Sequence, residues 1–348
     1  MGLSGMSGLS GLSGILGFPE KPSPPTSLVA TPTGITSIAL TWTAGSADST
    51  AQTLDYSTDG GSTWTNISSS LAGNANSYSF SSNPGTGYLF RVAATDAAGA
   101  SSYVVTNSAV DSIVYGMVGW WDGSDATSLY TGSGHSSPVS ANGDSIQTFA
   151  DKSGNGNDFV QATSGTRPTY VTGAQNGLSG VNFNGSQAMQ LASLTLGTHS
   201  IFIVFKATAN GLLFEHSPNT NSYNGLFLAT TVGSTFKLQR DASPLSDGQF
   251  GTDYVANWGI TGSAITAGWM NGGTAATNLL YVNNSLVLTA AGATLTSCPS
   301  VTDAFNLCSR NQDSIFVTGV ICELLIYTPM VSDVSAIWSY LRSKWATW

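Results

Sequence analysis

Charge is scarce in this sequence. Asp, Glu, Lys and Arg make up 8% of its 348 residues, against about 25% in an ordinary soluble domain. Only 10 residues are Lys or Arg, against 19 Asp or Glu, for a formal net charge of -9. So few cations exclude nucleic acid and anionic membrane surfaces as partners, because both are bound by neutralising phosphates. Cysteine is equally sparse. Cys298, Cys308 and Cys322 are too few and too late for a disulfide framework, and no CxxC or Cys/His spacing suits zinc. They read as buried free thiols, with a Cys298 to Cys308 bridge as the alternative. No apolar run is long enough to cross a bilayer as a helix. The first cation is Lys21 and glycine breaks every triplet before it, so the opening segment is not a secretory signal. Met6 stands where a myristoylation site needs Ser or Thr.

Motifs of catalysis are missing as well. There is no G-x-S-x-G elbow, and His135, His199 and His216 have no metal-ligand spacing. Glu215 and Glu323 each lack an acidic neighbour two positions away, the spacing that would pair two carboxylates on one face of a strand. The expectation is a chain that is not an enzyme.

Gly, Ser, Thr and Asn are abundant instead, a composition that suits turn-rich β structure. The first 18 residues repeat in threes, with glycine at 2, 5, 8, 11, 14 and 17 and an apolar residue after each. In an extended helix of three residues per turn, Leu3, Met6, Leu9, Leu12, Ile15 and Phe18 form one apolar stripe. Such a stripe can pack with copies of itself in a homotrimer or lie in a groove on another protein; the alternative is a disordered Gly-Ser arm. The proline-rich "FPEKPSPPTS" then acts as a stiff spacer, so residues 1–21 form a leader and spacer.

Residues 22–110 read as short strands. Ile38, Leu40 and Trp42 alternate onto one face, as do Tyr88, Phe90, Val92 and Ala94, and Asp59, Gly60 and Gly61 mark a hairpin. The stretches "ALTWTAG", "LDYSTDGGSTW" and "NPGTGYLFRVAATDAAGASSY" resemble a fibronectin type III domain. The resemblance implies that Trp42 is the core tryptophan and Tyr88 the corner tyrosine, in a module that serves as a spacer or interaction unit.

Residues 111–348 read as a second, larger β region. "SIFIVFKA" is apolar on both faces, as in a covered central strand, and "LLYVNNSLVL" is a hairpin around Asn283 and Asn284. At the end, Ser332 is placed to cap a helix with Val334, Ile337, Trp338, Leu341 and Trp345 on one face. "GWWDGSDATSLY", "FADKSGNGNDFVQATSGTRPTYV", "GLSGVNFNGSQAMQL" and "GVICELLIYTPMVSDVSAIWSYLRSKW" resemble laminin-G-like or concanavalin-like jelly rolls. That family implies an antiparallel two-sheet sandwich that binds glycans or protein surfaces and sometimes calcium. A Gly-rich stretch, roughly 241–276, departs from the family as an insert. The fold class expected is all-β: a fibronectin-like sandwich, then a jelly roll with a C-terminal helix.

Two candidate sites follow. Asp151, Ser153 and Asn155 alternate in "DKSGNG" as in the first half of a calcium loop, with Asp122 and Asp125 as further oxygens. The twelfth position, however, is Ala162, and the competing reading is a tight turn in which Asp and Asn bond the backbone. Calcium is thus the only candidate cofactor. Tyr223, Asn224, Tyr254, Asn257, Trp258, Trp269 and Asn271 supply aromatic platforms beside amides, the combination that binds sugars, although aromatics in a sandwich commonly serve as core.

The resemblances and the missing export signal together imply a bacteriophage structural protein: a head fibre, decoration protein or tail adhesin. It would be exposed on the virion, anchored to other virion proteins by its leader, and would display a lectin-like domain to cell-surface glycan. A cement protein without ligand, and a bacterial surface lectin or glycanase, are the alternatives.

Overall fold

The computed structural model describes residues 19–209, 211–216, 224–229, 235–240, 254–257, 264–272, 278–289, 300–331 and 334–348, with the backbone alone for 224–229, 235–240, 254–257, 271, 278, 287–289 and 301. The leader residues Leu3, Met6, Leu9, Leu12, Ile15 and Phe18, like Cys298 and Ser332, lie outside the described residues. The chain divides into two compact units, Met1–Tyr115 and Gly116–Trp348.

The first unit holds β1 (Thr26–Gly34), β2 (Ser37–Thr43), β3 (Ala51–Ser57), β4 (Thr65–Ala72), β5 (Ser77–Ser81), β6 (Leu89–Asp96), β7 (Gly99–Ala100) and β8 (Val104–Val105). They form two antiparallel sheets, β1-β2-β5 and β4-β3-β6-β7, with β8 also on β6. The period of two in β2 sends Ile38, Leu40 and Trp42 inward onto Leu54, Tyr88, Phe90 and Val92. Burying Trp42 obliges its indole N–H to find an acceptor: Nε1 donates to Gln52 Oε1 (2.7 Å), and Gln52 Nε2 donates to the carbonyls of Gly73 (2.7 Å) and Ala75 (2.9 Å). The Tyr88 hydroxyl accepts from the Asn83 backbone N–H (3.1 Å), closing the corner before β6 as a fibronectin-like sandwich requires. The unit runs on to Tyr115 because Ile113 is wholly buried and the Ser112 hydroxyl donates to the Ile35 carbonyl (2.6 Å).

The second unit opens with β9 (Met117–Asp122), β10 (Leu129–Tyr130), β11 (Thr148–Phe149), β12 (Phe159–Val160), β13 (Thr169–Gln175), β14 (Leu178–Asn184), β15 (Met189–Leu196), β16 (His199–Ala207) and β17 (Gly211–His216). It continues through β18 (Asn224–Ala229), β19 (Thr235–Arg240), β20 (Tyr254–Asn257), β21 (Ile265–Asn271), β22 (Asn278–Val282), β23 (Ser285–Thr289), β24 (Val301–Leu307) and β25 (Thr318–Tyr327), and ends in helix α1 (Ser335–Trp345). Among the described residues the strands make two antiparallel sheets. One runs β10-β11-β12-β15-β24-β17-β18-β19-β20; the other runs β13-β14-β25-β16-β21-β22-β23, with β9 also on β25.

An aromatic series crosses the core between them. Trp121 meets Phe159 (4.6 Å between centroids), Phe159 meets Phe305 (5.8 Å), and Phe214 stacks on both Phe305 (5.4 Å) and Trp269 (6.0 Å). β16 is apolar on both faces because each has a partner. Ile201, Ile203 and Phe205 join this core, while Phe202 points the other way onto Trp338 of α1 (5.4 Å). The helix presents Ile337, Trp338, Leu341 and Trp345, the face expected at 3.6-residue spacing. It starts later than expected, with Val334 as an N-cap that makes no side-chain bond, and stops where Ala346 turns left-handed.

The stretch 241–276 is not wholly an insert, since it contains β21, paired with β16 on one side and β22 on the other. Asn283 and Asn284 both take positive φ (48° and 61°), the mirror-image turn that matches the twist of the β22–β23 hairpin.

Candidate functional site

The "DKSGNG" segment is a turn that seals the free edge of β9. Asp151 Oδ1 accepts from the backbone N–H groups of Trp120 (2.9 Å) and Ser153 (2.8 Å), and Oδ2 from the Ser153 hydroxyl (2.8 Å) and the Asn157 N–H (3.0 Å). Asn155 Nδ2 donates to the Met117 carbonyl (2.9 Å) and to Ser153 Oγ (2.9 Å), and Asn157 Nδ2 to the Val118 carbonyl (2.7 Å). A carboxylate has about four lone-pair sites, and those of Asp151 are already taken by N–H and O–H donors. The calcium reading of Asp151, Ser153 and Asn155 is therefore corrected to an edge-sealing turn, and β9, which pairs with β25 on its other side, gains the partners an edge strand lacks. Among the described residues no group of three or more His, Cys, Asp or Glu is placed to hold a metal ion.

Asp122 and Asp125 serve cations from the chain itself. Lys152 Nζ lies 3.0 Å from Asp122 Oδ2 and 2.8 Å from Asp125 Oδ2, and Lys344 Nζ lies 2.8 Å from Asp122 Oδ1. Register places Asp122 directly opposite Glu323 across the β9–β25 pair. Glu323, with no solvent exposure, accepts from Trp120 Nε1 (2.8 Å) and the Tyr340 hydroxyl (2.6 Å) at Oε1, and from Trp345 Nε1 at Oε2. Lys344 Nζ is 3.2 Å from Oε2. The two ammonium groups also lie over rings, Lys152 over Trp120 (4.6 Å) and Lys344 over Trp345 (5.2 Å).

Electrostatics split the two carboxylates. Burial pushes both up, but at Asp122 the ammoniums of Lys344 and Lys152, with hydrogen bonds from Lys344 and Ser124, outweigh it and hold the group below the usual range. At Glu323 burial prevails over the pull of Lys344, and the charge of Asp122 adds to it, so the carboxyl is raised. Lys152 is raised because its two aspartates outweigh its burial. Local sequence spacing missed this carboxylate pair; only the antiparallel pairing of the unit's first strand with its last reveals it.

Glu215, on β17, is buried opposite Asn306 of β24, which faces Gln190 of β15. Gln190 Nε2 donates to Asn306 Oδ1 (2.8 Å), and Arg310 Nε lies 3.7 Å from Glu215 Oε1. Burial pushes the Glu215 carboxyl up to about 7, against the opposing pull of Arg310 and of the Asn311 N–H. The histidines stand apart: His135 Nε2 is 2.7 Å from Asp158 Oδ2, His199 Nδ1 is 2.8 Å from the Gly197 carbonyl, and His216 Nε2 is 2.8 Å from the Leu194 carbonyl. Cys308 and Cys322 are free and buried, and burial raises both thiols.

Of the expected glycan contacts, Trp269 is corrected to a core residue. It is 3% exposed, stacked on Phe214 and met edge-on by His199 (5.1 Å), so no ring face is open to a sugar. Tyr223 and Trp258 lie outside the described residues. Asn224, Tyr254, Asn257 and Asn271 fall on strands described at their backbone. Asn224 sits opposite Arg240, and Tyr254 opposite Leu238, so the two lie toward the same end of β19 on the strands that flank it.

The fold and these contacts define an all-β protein of two antiparallel sandwich units, the second closed by a C-terminal helix. No family model matches the chain, and no curated protein matches it. Among solved structures it is similar to domain 4 of AbnA, a GH43 extracellular arabinanase from Geobacillus stearothermophilus in complex with arabinotriose, at 16% identity and a TM-score of 0.41 over 54% of this chain and 90% of that one. It is also similar to FN3tt (22% identity, TM-score 0.23, 27% of this chain and 99% of that one). A third likeness is to the fn3 domain of human collagen alpha-1(XX) (23% identity, TM-score 0.23, 32% and 90%).

Proposed function

We propose that this chain is a non-enzymatic structural protein of a bacteriophage virion, held to the particle by its N-terminal leader and displaying the second unit for attachment to glycans. The fibronectin-like unit acts as the stalk. The observation that carries the reading is the tie between the two ends of the second unit. A unit joined to its stalk through its first strand takes any pull at β9, and Asp122 of β9 is held by Lys344 from the last turn of α1. Low overall charge and a composition rich in Ser, Thr and Asn suit a display head that binds weakly through many copies. The placement of Asn224 and Tyr254 toward one end of β19, on the strands that flank it, supports that end of the nine-stranded sheet as the sugar-contacting region.

Incubation of the full chain with immobilised polysaccharides, reading both retention and released reducing ends, tests the function. The expected result is retention on a subset without any reducing ends, lost in a Tyr254→Ala, Trp258→Ala double variant. Reducing-end release would make the chain a glycanase, and no retention on any polysaccharide would leave the head as a cement without ligand.

A further inference from the structure

We propose that Lys344 and Asp122 condense spontaneously to an isopeptide bond, with Glu323 carrying the proton, so that the last turn of α1 is joined covalently to β9. The geometry is that of an amine held against one carboxyl while a second, buried carboxyl touches the same nitrogen. Lys344 Nζ lies 2.8 Å from Asp122 Oδ1 and 3.2 Å from Glu323 Oε2, and the exposures of Asp122, Glu323 and Lys344 side chains are only 6%, 0% and 17%. Holding reactants at contact distance in a site with little water is what converts a slow bimolecular amide synthesis into a feasible intramolecular one.

The step balances without an outside reagent. The ammonium of Lys344 passes one proton directly to the Asp122 carboxylate oxygen it touches. The free amine then attacks the Asp122 carboxyl carbon and forms the C–N bond. Glu323 takes the second proton from nitrogen and returns it to the departing carboxyl oxygen, which leaves as water. One ammonium and one carboxylate become one amide and one water, and Glu323 is restored. Burial raises the Glu323 carboxyl, which suits a group that must hold a proton in transit.

Donors for the developing oxyanion are in place. The Ser124 backbone N–H (3.0 Å) and hydroxyl (2.6 Å) donate to Asp122 Oδ1, and the Lys152 ammonium (3.0 Å) donates to Oδ2. Lys152 also touches Asp122, but it is shared with Asp125 and is not the lysine in contact with Glu323.

Intact-mass measurement of the folded full chain, followed by tryptic peptide mapping, decides the matter. The expected chain is lighter than its sequence by one water, with Ser343–Trp348 uncleaved at Lys344 and joined to the peptide that contains Asp122. Lys344→Arg and Glu323→Gln, each confirmed folded by a cooperative melt, are expected at full mass. A folded wild-type chain at full mass overturns the proposal, as does a cross-link to Lys152 or a water loss that persists in Lys344→Arg. Should either variant fail to fold, the joined peptide in the wild-type digest settles the question alone.

Discussion

Gln52 shows what a single buried amide does in this chain. It satisfies the Trp42 indole and two carbonyls of the following turn while fully enclosed. Gln52→Leu keeps the volume and strands the three partners, each at a cost of about 1–3 kcal/mol. A loss of roughly 3 kcal/mol or more, read from the urea midpoint of the first unit, is expected. Glu215 carries a pH signature of opposite character to the paired aspartates. Its folded-state pKa is raised from 4.5 to about 7, so the protonated form favours the folded chain. That contribution is whole below pH about 4.5 and is lost as pH rises through about 7, amounting to about 3 kcal/mol. Asp125, held low because its hydrogen bonds with Lys152 and Thr127 outweigh its partial burial, contributes stability above the ordinary carboxylate range that is lost as pH falls through its lowered value. In melting curves taken from pH 4.5 to pH 8, Glu215→Gln should flatten the decline of the second unit's transition. At this scale, residues with a local rule were legible: strand alternation put Trp42 and Tyr88 on their strands' apolar faces, and the fibronectin resemblance implied their core and corner roles. The Asp122–Glu323 pair was not, because only the register between strands at opposite ends of the unit joins them.

Elements were legible where their period was clean. β16 declared its two apolar faces, and α1 its helical stripe, and the structure packs one against the other through Phe202 and Trp338. β21 was hidden because Gly268 interrupts its pattern, and that glycine has a packing reason. A Cβ there would come within 2.7 Å of Trp338 Cζ2 and 3.2 Å of Phe202 Cδ1. Gly268→Ala should therefore push the helix off the sheet and cost about 1–3 kcal/mol, seen as a lowered melting temperature of the second unit. Trp338→Ala, which removes the ring instead, is expected to cost about 3–5 kcal/mol in the same measurement. The "DKSGNG" segment carries two readings, a calcium loop and a tight turn, for a related reason. The alternating oxygens that suit a calcium loop equally suit an edge strand in need of acceptors and donors, and Trp120 N–H and the Met117 and Val118 carbonyls claim them.

For the whole molecule, two β units are expected from chain length and the turn-rich strand pattern, and the chain divides into Met1–Tyr115 and Gly116–Trp348, whereas the role of the leader rests on its glycine triplets alone. A leader that packs with its own copies makes the full chain a trimer in sedimentation equilibrium and a chain starting at Pro22 a monomer. Monomers in both cases would leave the apolar stripe either idle or a docking peptide for a groove on another protein. Display on a virus particle, as proposed, is checked by antibody labelling of purified virions against residues 116–348. Label is expected on the surface of intact particles. Label confined to the cell envelope or to free protein in the lysate would contradict it.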